Sequence, residues 1–251
     1  MSTLEQTMST VPAAVVFDLD GTLADTERDG HRVAFNRAFA AHGLDLFWDI
    51  EHYGCLLAVT GGRRRIVADL ARRDETADLA ADETALEDLA ASVHRTKTRL
   101  FAEEVRRGGI EARPGVRSLV ADLVAHRVPV AVATTGTRAW AEPLVEQLLG
   151  PGTARVTVFG DDVRALKPDP QAYLLALERL GVAARDAVAV EDAAPGLAAA
   201  RAAGLATVVV TNHYTRSHDM RGAALVREEF DVPGLLTAVA LGEVLAGARA
   251  G

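Results

Sequence analysis

From Val15 onward the chain alternates short β-branched runs with longer Ala, Leu and Arg stretches of helical period, and no other feature restricts its fold as much. Strands are predicted over residues 14–17, 128–133, 156–159, 187–190 and 207–210. Helices are predicted between them, over 117–126, 139–149, 170–180 and 196–203. Continuous apolar strands separated by helices are the pattern of a parallel sheet covered by helices on its faces, so the expected class is α/β.

One connection breaks the pattern. The segment between the first two predicted strands is far longer than the dozen or so residues that a parallel crossover requires. Residues 28–107 are rich in helix formers and carry apolar positions three or four apart: Val33, Phe35, Ala38 and Phe39, then Ile66, Ala68 and Leu70, then Leu86, Leu89 and Val93. They are expected to form an all-helical second domain inserted after the first strand, with 1–27 and 108–251 forming the core. Arg107-Gly108-Gly109 and Arg113-Pro114-Gly115 mark the return. Such an insertion is expected to hang as a lid over the carboxyl ends of the strands, where open parallel sheets bind ligands.

At 251 residues and 49% hydrophobic content the chain can bury a full core. No apolar run approaches the roughly 20 residues needed to span a bilayer, and residues 1–12 lack the charged start and apolar stretch of a secretory signal. A cytoplasmic protein with a frayed polar tail is expected. A formal charge of −8 argues against general affinity for nucleic acid or anionic membrane, so cations that bind an anion must be gathered locally. Arg63, Arg64 and Arg65 are the densest basic cluster, by default a solvated turn and by context a substrate contact. Cys55 is alone, which excludes an internal disulfide and a cysteine metal site; it is expected to be a small buried hydrophobe.

The first predicted strand runs into Val15-Val16-Phe17-Asp18-Leu19-Asp20-Gly21-Thr22-Leu23. Residues i and i+2 of an extended segment share a face, so Asp18 and Asp20 can reach one pocket, and Gly21 permits a tight turn behind them. Two carboxylates at 4 Å repel by roughly 4 kcal/mol at an effective dielectric near 20, which calls for a divalent cation beside them. A bare D-x-D would be a solvated loop or a helix cap. The whole nonapeptide, however, resembles the first motif of the haloacid dehalogenase superfamily. Three further segments match the family's remaining motifs in order. Thr134 stands immediately after the second predicted strand, in a hydroxyl-rich loop that by itself would serve equally as a phosphate contact or a helix N-cap. Lys167 opens the run K-P-x-P, and the fourth predicted strand ends in Glu191-Asp192.

The resemblance implies a Rossmann-like three-layer α/β/α core with a parallel sheet and a helical cap that sets the substrate. It implies Asp18 as nucleophile, Asp20 as general acid and base, and Thr134 and Lys167 as groups holding phosphoryl oxygens. Asp18, the Asp20 carbonyl and Asp192 would hold Mg²⁺, with Glu191 acting through a water or as an acceptor behind these ligands. Two positions depart from the family: Ala193 stands where Ser commonly follows the acidic pair, and Gly136 where a third hydroxyl residue is more usual.

Within the family, the segments Asp25 to Asn36, Phe47-Trp48-Asp49 with Tyr53, Thr60 to Ile66, and His94-Arg95-Thr96-Lys97 resemble the CbbY-type phosphatases, and the similarity extends over 15–215, including Tyr214-Thr215. That resemblance implies xylulose 1,5-bisphosphate, a misfire product that inhibits Rubisco in the Calvin cycle, as substrate. A bisphosphate needs a second anion site, for which Arg65 matches an Arg of the family pattern, while Arg63 stands where Lys is usual and Arg64 reads as a solvent residue. Glu27 and Tyr53 would bond sugar hydroxyls, His31 would orient lid or substrate, and Thr135 and Arg138 would add contacts from the core. For Tyr53 and His31 burial in the lid is the alternative. The expected partner is a small sugar phosphate, acted on by a monomer. Competing readings are a sugar phosphomutase resembling β-phosphoglucomutase, a phosphonate hydrolase, for which Lys97 is the only lid lysine, and a phosphosugar-binding regulator without catalysis.

Overall fold

The computed structural model describes residues 11–59, 61–73 and 82–250. The tail expected over 1–12 lies outside them through residue 10, as does Thr60. The chain divides into two compact units, Met1–Asp25 with Glu111–Gly251, and Thr26–Ile110, against the 28–107 insertion read from the sequence.

The first unit is built on a six-stranded parallel sheet: β1 Ala14–Phe17, β2 Val130–Ala133, β3 Ala154–Val158, β4 Ala187–Glu191, β5 Ala206–Val210 and β6 Leu225–Arg227, in the order β3-β2-β1-β4-β5-β6. β1 and β4 pair in register, Val15 with Val188 and Phe17 with Val190. The chain winds outward from β1 through β2 and β3 on one side, and through β4 to β6 on the other. The crevice where strand order reverses therefore opens at the carboxyl ends of β1 and β4.

Side chains alternate across this sheet. Ala14, Val16, Ala131, Ala133, Ala187 and Ala189 pack with the helices Gln171–Leu180 and Ala194–Ala202 in one buried cluster, where small residues let the helices approach closely. The intervening Val15, Phe17, Val130, Val132, Val188 and Val190 are also fully buried or nearly so. Helices Val116–Ala125, Arg138–Leu149 and Ala238–Ala250 also pack on the sheet, which makes three layers. Burial on both faces is why these strands read as continuous apolar runs rather than as alternating ones.

The second unit, among its described residues, is helical: a π-wound segment Thr26–His31 followed by helices Arg32–Ala41, Ile50–Leu56, Gly62–Leu70 and Glu83–Arg106. Phe35, Phe39, Trp48 and Tyr53 form its aromatic centre, with ring centroids 4.7 to 6.2 Å apart. Cys55 is exposed, contrary to the burial expected of it, because it falls on the outward side of the seven-residue helix whose Tyr53 and Leu56 face inward. Val33, counted among the apolar stripe, is exposed as well. No helix among the described residues is long and apolar enough to cross a membrane.

Candidate active site

The pairing of β1 with β4 continues one residue past Phe17, because the Asp18 N–H donates to the Val190 carbonyl at 2.9 Å. Asp18 is thereby set beside the end of β4. Glu191, the last residue of β4, alternates with Ala187 and Ala189 and so turns toward the helix that carries Tyr173. The Tyr173 hydroxyl donates to Glu191 Oε1. Lys167 Nζ donates to Asp18 Oδ1 and to Glu191 Oε1, both at 2.6 Å, and to the Tyr173 hydroxyl at 3.3 Å. Thr134, buried at the end of β2, accepts from the Gly136 N–H at 2.9 Å and lies 3.4 Å from Asp20 Oδ2, a weak contact.

Asp192 turns away from Lys167. Its Oδ1 accepts from Thr22 Oγ1 at 3.3 Å, and its Oδ2 from Asn212 Nδ2 at 2.7 Å. Asn212 also donates to the Gly21 carbonyl at 3.2 Å. Gly21 has φ +84°, and a Cβ there would lie 2.7 Å from Asn212 Nδ2 and 2.9 Å from Asp192 Cγ, so both backbone conformation and space require glycine. The buried Arg113 fixes the same turn by donating to the carbonyls of Gly21 (2.6 Å), Val210 (2.9 Å) and Thr211 (2.7 Å). From the sequence alone Arg113 reads as punctuation, and Tyr173 and Asn212 carry no signal of a role.

One carboxylate oxygen from each of Asp18, Glu191 and Asp192 lies within 4.8 Å of the others. Three carboxylates against the Lys167 ammonium leave an excess of negative charge in a buried site. Burial pushes the Glu191 carboxyl up to about 7; Lys167 opposes this and Asp18 reinforces it. Asp192 is raised well above the carboxylate range by burial and then by the Asp18 and Glu191 charges. Burial alone would lower the Lys167 ammonium, but Asp18 and Glu191 outweigh it and raise its pKa. A set of clustered oxygen donors with uncompensated negative charge fits a hard divalent cation. Asp18 and Asp192 are its best-placed holders, since Glu191 Oε1 is already taken by Lys167 and Tyr173.

In the helical unit, Glu27 and His31 both lie on the π-wound segment, a distortion frequent at functional sites. Tyr53 donates to Glu27 Oε2 at 2.5 Å, and Arg65 Nη1 donates to the Tyr53 hydroxyl at 3.2 Å and stands 3.7 Å from Glu27 Oε2. Three of the expected substrate residues are thus gathered, bonded to one another. His31 packs on Phe101 at 4.0 Å between centroids, and Lys97 Nζ donates to its Nδ1 at 3.1 Å. Burial, then the neighbouring Lys97, Arg65 and His94 charges, hold His31 well below its ordinary pKa. The sequence has two lysines, Lys97 and Lys167, and both are buried.

The two remaining expected contacts, Thr135 and Arg138, lie in the first unit. Thr135 is exposed on its loop. The Arg138 guanidinium bonds Asp162 at 2.8 and 3.1 Å and Glu142 at 3.3 Å, and lies 4.2 Å from the Phe159 ring centroid. It braces the start of its helix.

Residues 12–204 match the haloacid dehalogenase-like hydrolases. The chain belongs to that family. Within it, the chain is 41% identical over 218 residues to protein CbbY of Cupriavidus necator, an alignment covering 85% of this chain and 84% of the relative. The structure of a CbbY variant from Rhodobacter sphaeroides with bound xylulose 1,5-bisphosphate superposes with a TM-score of 0.72 at 38% identity, over 90% of this chain and 97% of that one. A putative β-phosphoglucomutase from Thermotoga maritima superposes with a TM-score of 0.64 at 27% identity, over 94% and 98% of the two chains. Both departures from the family pattern have a local structural counterpart in this hydrolase. A side chain at Gly136 would meet Trp140 within 2.7 Å of its ring, and Asp192, which Ala193 cannot assist with a hydroxyl, has both oxygens held by Thr22 and Asn212.

Proposed function

We propose that this hydrolase is a Mg²⁺-dependent sugar-phosphate phosphatase whose substrate is xylulose 1,5-bisphosphate and whose product is xylulose 5-phosphate. The observation that carries the reading is Asp18, a buried carboxylate at the end of β1, clamped by Lys167 at 2.6 Å beside two further carboxylates. Kinship with CbbY proteins supports the choice of sugar.

Asp18 attacks phosphorus, and the ester P–O bond breaks as the aspartyl phosphate forms. Asp20 gives its proton to the departing sugar oxygen, then takes one from the water that cleaves the aspartyl phosphate and releases orthophosphate. Thr134 and Lys167 donate hydrogen bonds to phosphoryl oxygens. Asp18, Asp192 and the Asp20 carbonyl would hold Mg²⁺, which supplies charge neutralisation at the transferring group. Arg65, in a unit that also gathers His31, His94 and Lys97, is proposed to take the distal phosphate, and Glu27 and Tyr53 the sugar hydroxyls.

The test compares phosphate release from xylulose 1,5-bisphosphate and xylulose 5-phosphate in three proteins. Wild type should prefer the bisphosphate. Asp18→Asn should keep the fold and release none, because an amide cannot be the nucleophile. Arg65→Ala should raise KM for the bisphosphate by the equivalent of roughly 1.5 to 3 kcal/mol, as for one hydrogen bond to a charged group, and barely alter the monophosphate. Indifference of wild type between the two sugars would remove the bisphosphatase reading, and glucose 6-phosphate formed from β-glucose 1-phosphate would replace it with a mutase.

A further inference from the structure

The parallel sheet has a second end. Where β5 begins at Ala206, opposite the end that carries Asp18 and Asp192, the first unit carries a cavity of about 780 Å³ that is open to solvent. Its lining is mostly apolar, with Leu205, Val244 and Leu245 among it, and its polar side chains are Thr207 and three arginines, Arg185, Arg201 and Arg249.

The three guanidiniums are not equivalent. Arg249 is committed: it donates to the Arg185 carbonyl at 2.8 and 2.6 Å and to Asp186 Oδ1 at 2.6 Å, which neutralises the nearest carboxylate. Arg185 is 82% exposed and reaches Asp186 only at 3.9 Å. Arg201 donates to the Arg221 carbonyl at 3.3 Å and has no carboxylate partner among the described residues. Three cations against one acid leave net positive charge at this mouth, on a chain whose formal charge is −8.

We propose that this cavity is a ligand site for a nucleoside diphosphate. A concave apolar pocket of several hundred cubic ångströms with a few placed polar groups is the general form of a small-molecule site. Arg201, without a carboxylate partner among the described residues, and Arg185, held to Asp186 only by a 3.9 Å contact at an exposed side chain, offer forked donors to two phosphates, and the Leu205, Val244 and Leu245 lining suits the flat face of a base. Neither group touches the residues assigned above to phosphoryl transfer, so the two sites stand or fall separately.

The experiment titrates ADP into the full chain in EDTA, where Mg²⁺-dependent hydrolysis is off, and reads binding by calorimetry and by the shift in Tm. Wild type should bind one ADP with a Kd of about millimolar or tighter. Adenosine, which lacks the phosphates, and pyrophosphate, which lacks the base, should each bind at least about tenfold more weakly. Arg201→Ala should weaken ADP by about tenfold or more, and so should Arg185→Ala, whose exposed side chain supports no packing. Both variants should keep wild-type phosphate release with Mg²⁺ added. Absence of ADP binding by both readouts would overturn the proposal. So would pyrophosphate binding as tightly as ADP, or ADP affinity unchanged in both variants, which would put the nucleotide elsewhere.

Discussion

Asp192 is held at both carboxylate oxygens, and the stronger of the two bonds comes from a residue twenty positions away, Asn212 at 2.7 Å. Asn212 is itself locked, its Oδ1 accepting from the Tyr214 N–H at 2.9 Å and its own N–H donating to Thr215 Oγ1 at 3.0 Å, so its amide presents Nδ2 to Asp192 in one orientation. Partners that orient a metal-holding carboxylate typically contribute about 10- to 100-fold in metal affinity. Asn212→Ala should therefore raise the Kd for Mg²⁺ by that factor, measured by calorimetry, while the fold stays intact. An unchanged Kd would show that Thr22 alone suffices. Asp18, Asp20 and Asp192 stand out in the sequence because each follows an apolar strand, and Lys167 only through its K-P-x-P run; the structure brings Asp18, Lys167 and the Glu191-Asp192 pair together. Tyr173 and Asn212 do not stand out. A tyrosine on an amphipathic helix reads as core, and an asparagine in a loop reads as a turn former; only the long-range contacts with Glu191 and Asp192 give them a role.

Among the elements, the helical unit poses the sharper stability problem, since a helix as short as Ile50–Leu56 is marginal without tertiary support. Support comes from the aromatic centre, where each ring pair adds about 0.5 to 1.5 kcal/mol beyond simple burial. It also comes from Asp69, which accepts from Trp48 Nε1 at 2.7 Å, His52 Nε2 at 2.6 Å and Arg73 Nε at 2.9 Å. Burial by itself would raise the Asp69 pKa, but these three donors hold it low and the carboxylate charged. His31 gives this unit a pH dependence. Its folded pKa lies well below the ordinary 6.5, so below that pH the unfolded chain binds a proton that the fold refuses, and stability is lost as pH falls. Between about pH 7.5 and 5.5 the wild type should lose more Tm than His31→Gln, whose amide oxygen can still accept from Lys97. Equal losses would mean that His31 titrates normally. The central strands β1, β2, β4 and β5 were legible because burial on both faces leaves them nearly uniformly apolar; the outer β3 is only partly buried and was read two residues short at its start, and the three residues of β6, Leu225–Arg227, are partly exposed and were not read as a strand. The closing helix Ala238–Ala250 escaped for another reason, because its Ala and Gly residues give little contrast between faces.

At the scale of the whole molecule, the buried carboxylate cluster should make stability respond jointly to pH and metal. With no cation bound, Glu191 titrates near 7 instead of its ordinary 4.5, and Asp192 is raised as well. Between those values the folded state binds protons that the unfolded chain has released, so the metal-free protein should become less stable as pH rises through this window. A divalent cation binds the deprotonated carboxylates and reverses the trend. At a free concentration about a hundredfold above its Kd it should add about 2.7 kcal/mol, and its apparent Kd should fall as protons cease to compete. The measurement is Tm at about pH 5 and about pH 8, in EDTA and in Mg²⁺, for wild type and Glu191→Gln. In EDTA the Tm of wild type should fall between the two values by more than that of the variant, which has lost one of the raised carboxyls. The increment from Mg²⁺ should be small at the lower pH and large at the higher. An increment independent of pH, or none at all, would mean that Asp18 and Asp192 do not hold the ion beside Glu191, and the excess charge around Asp18 would then need a different partner.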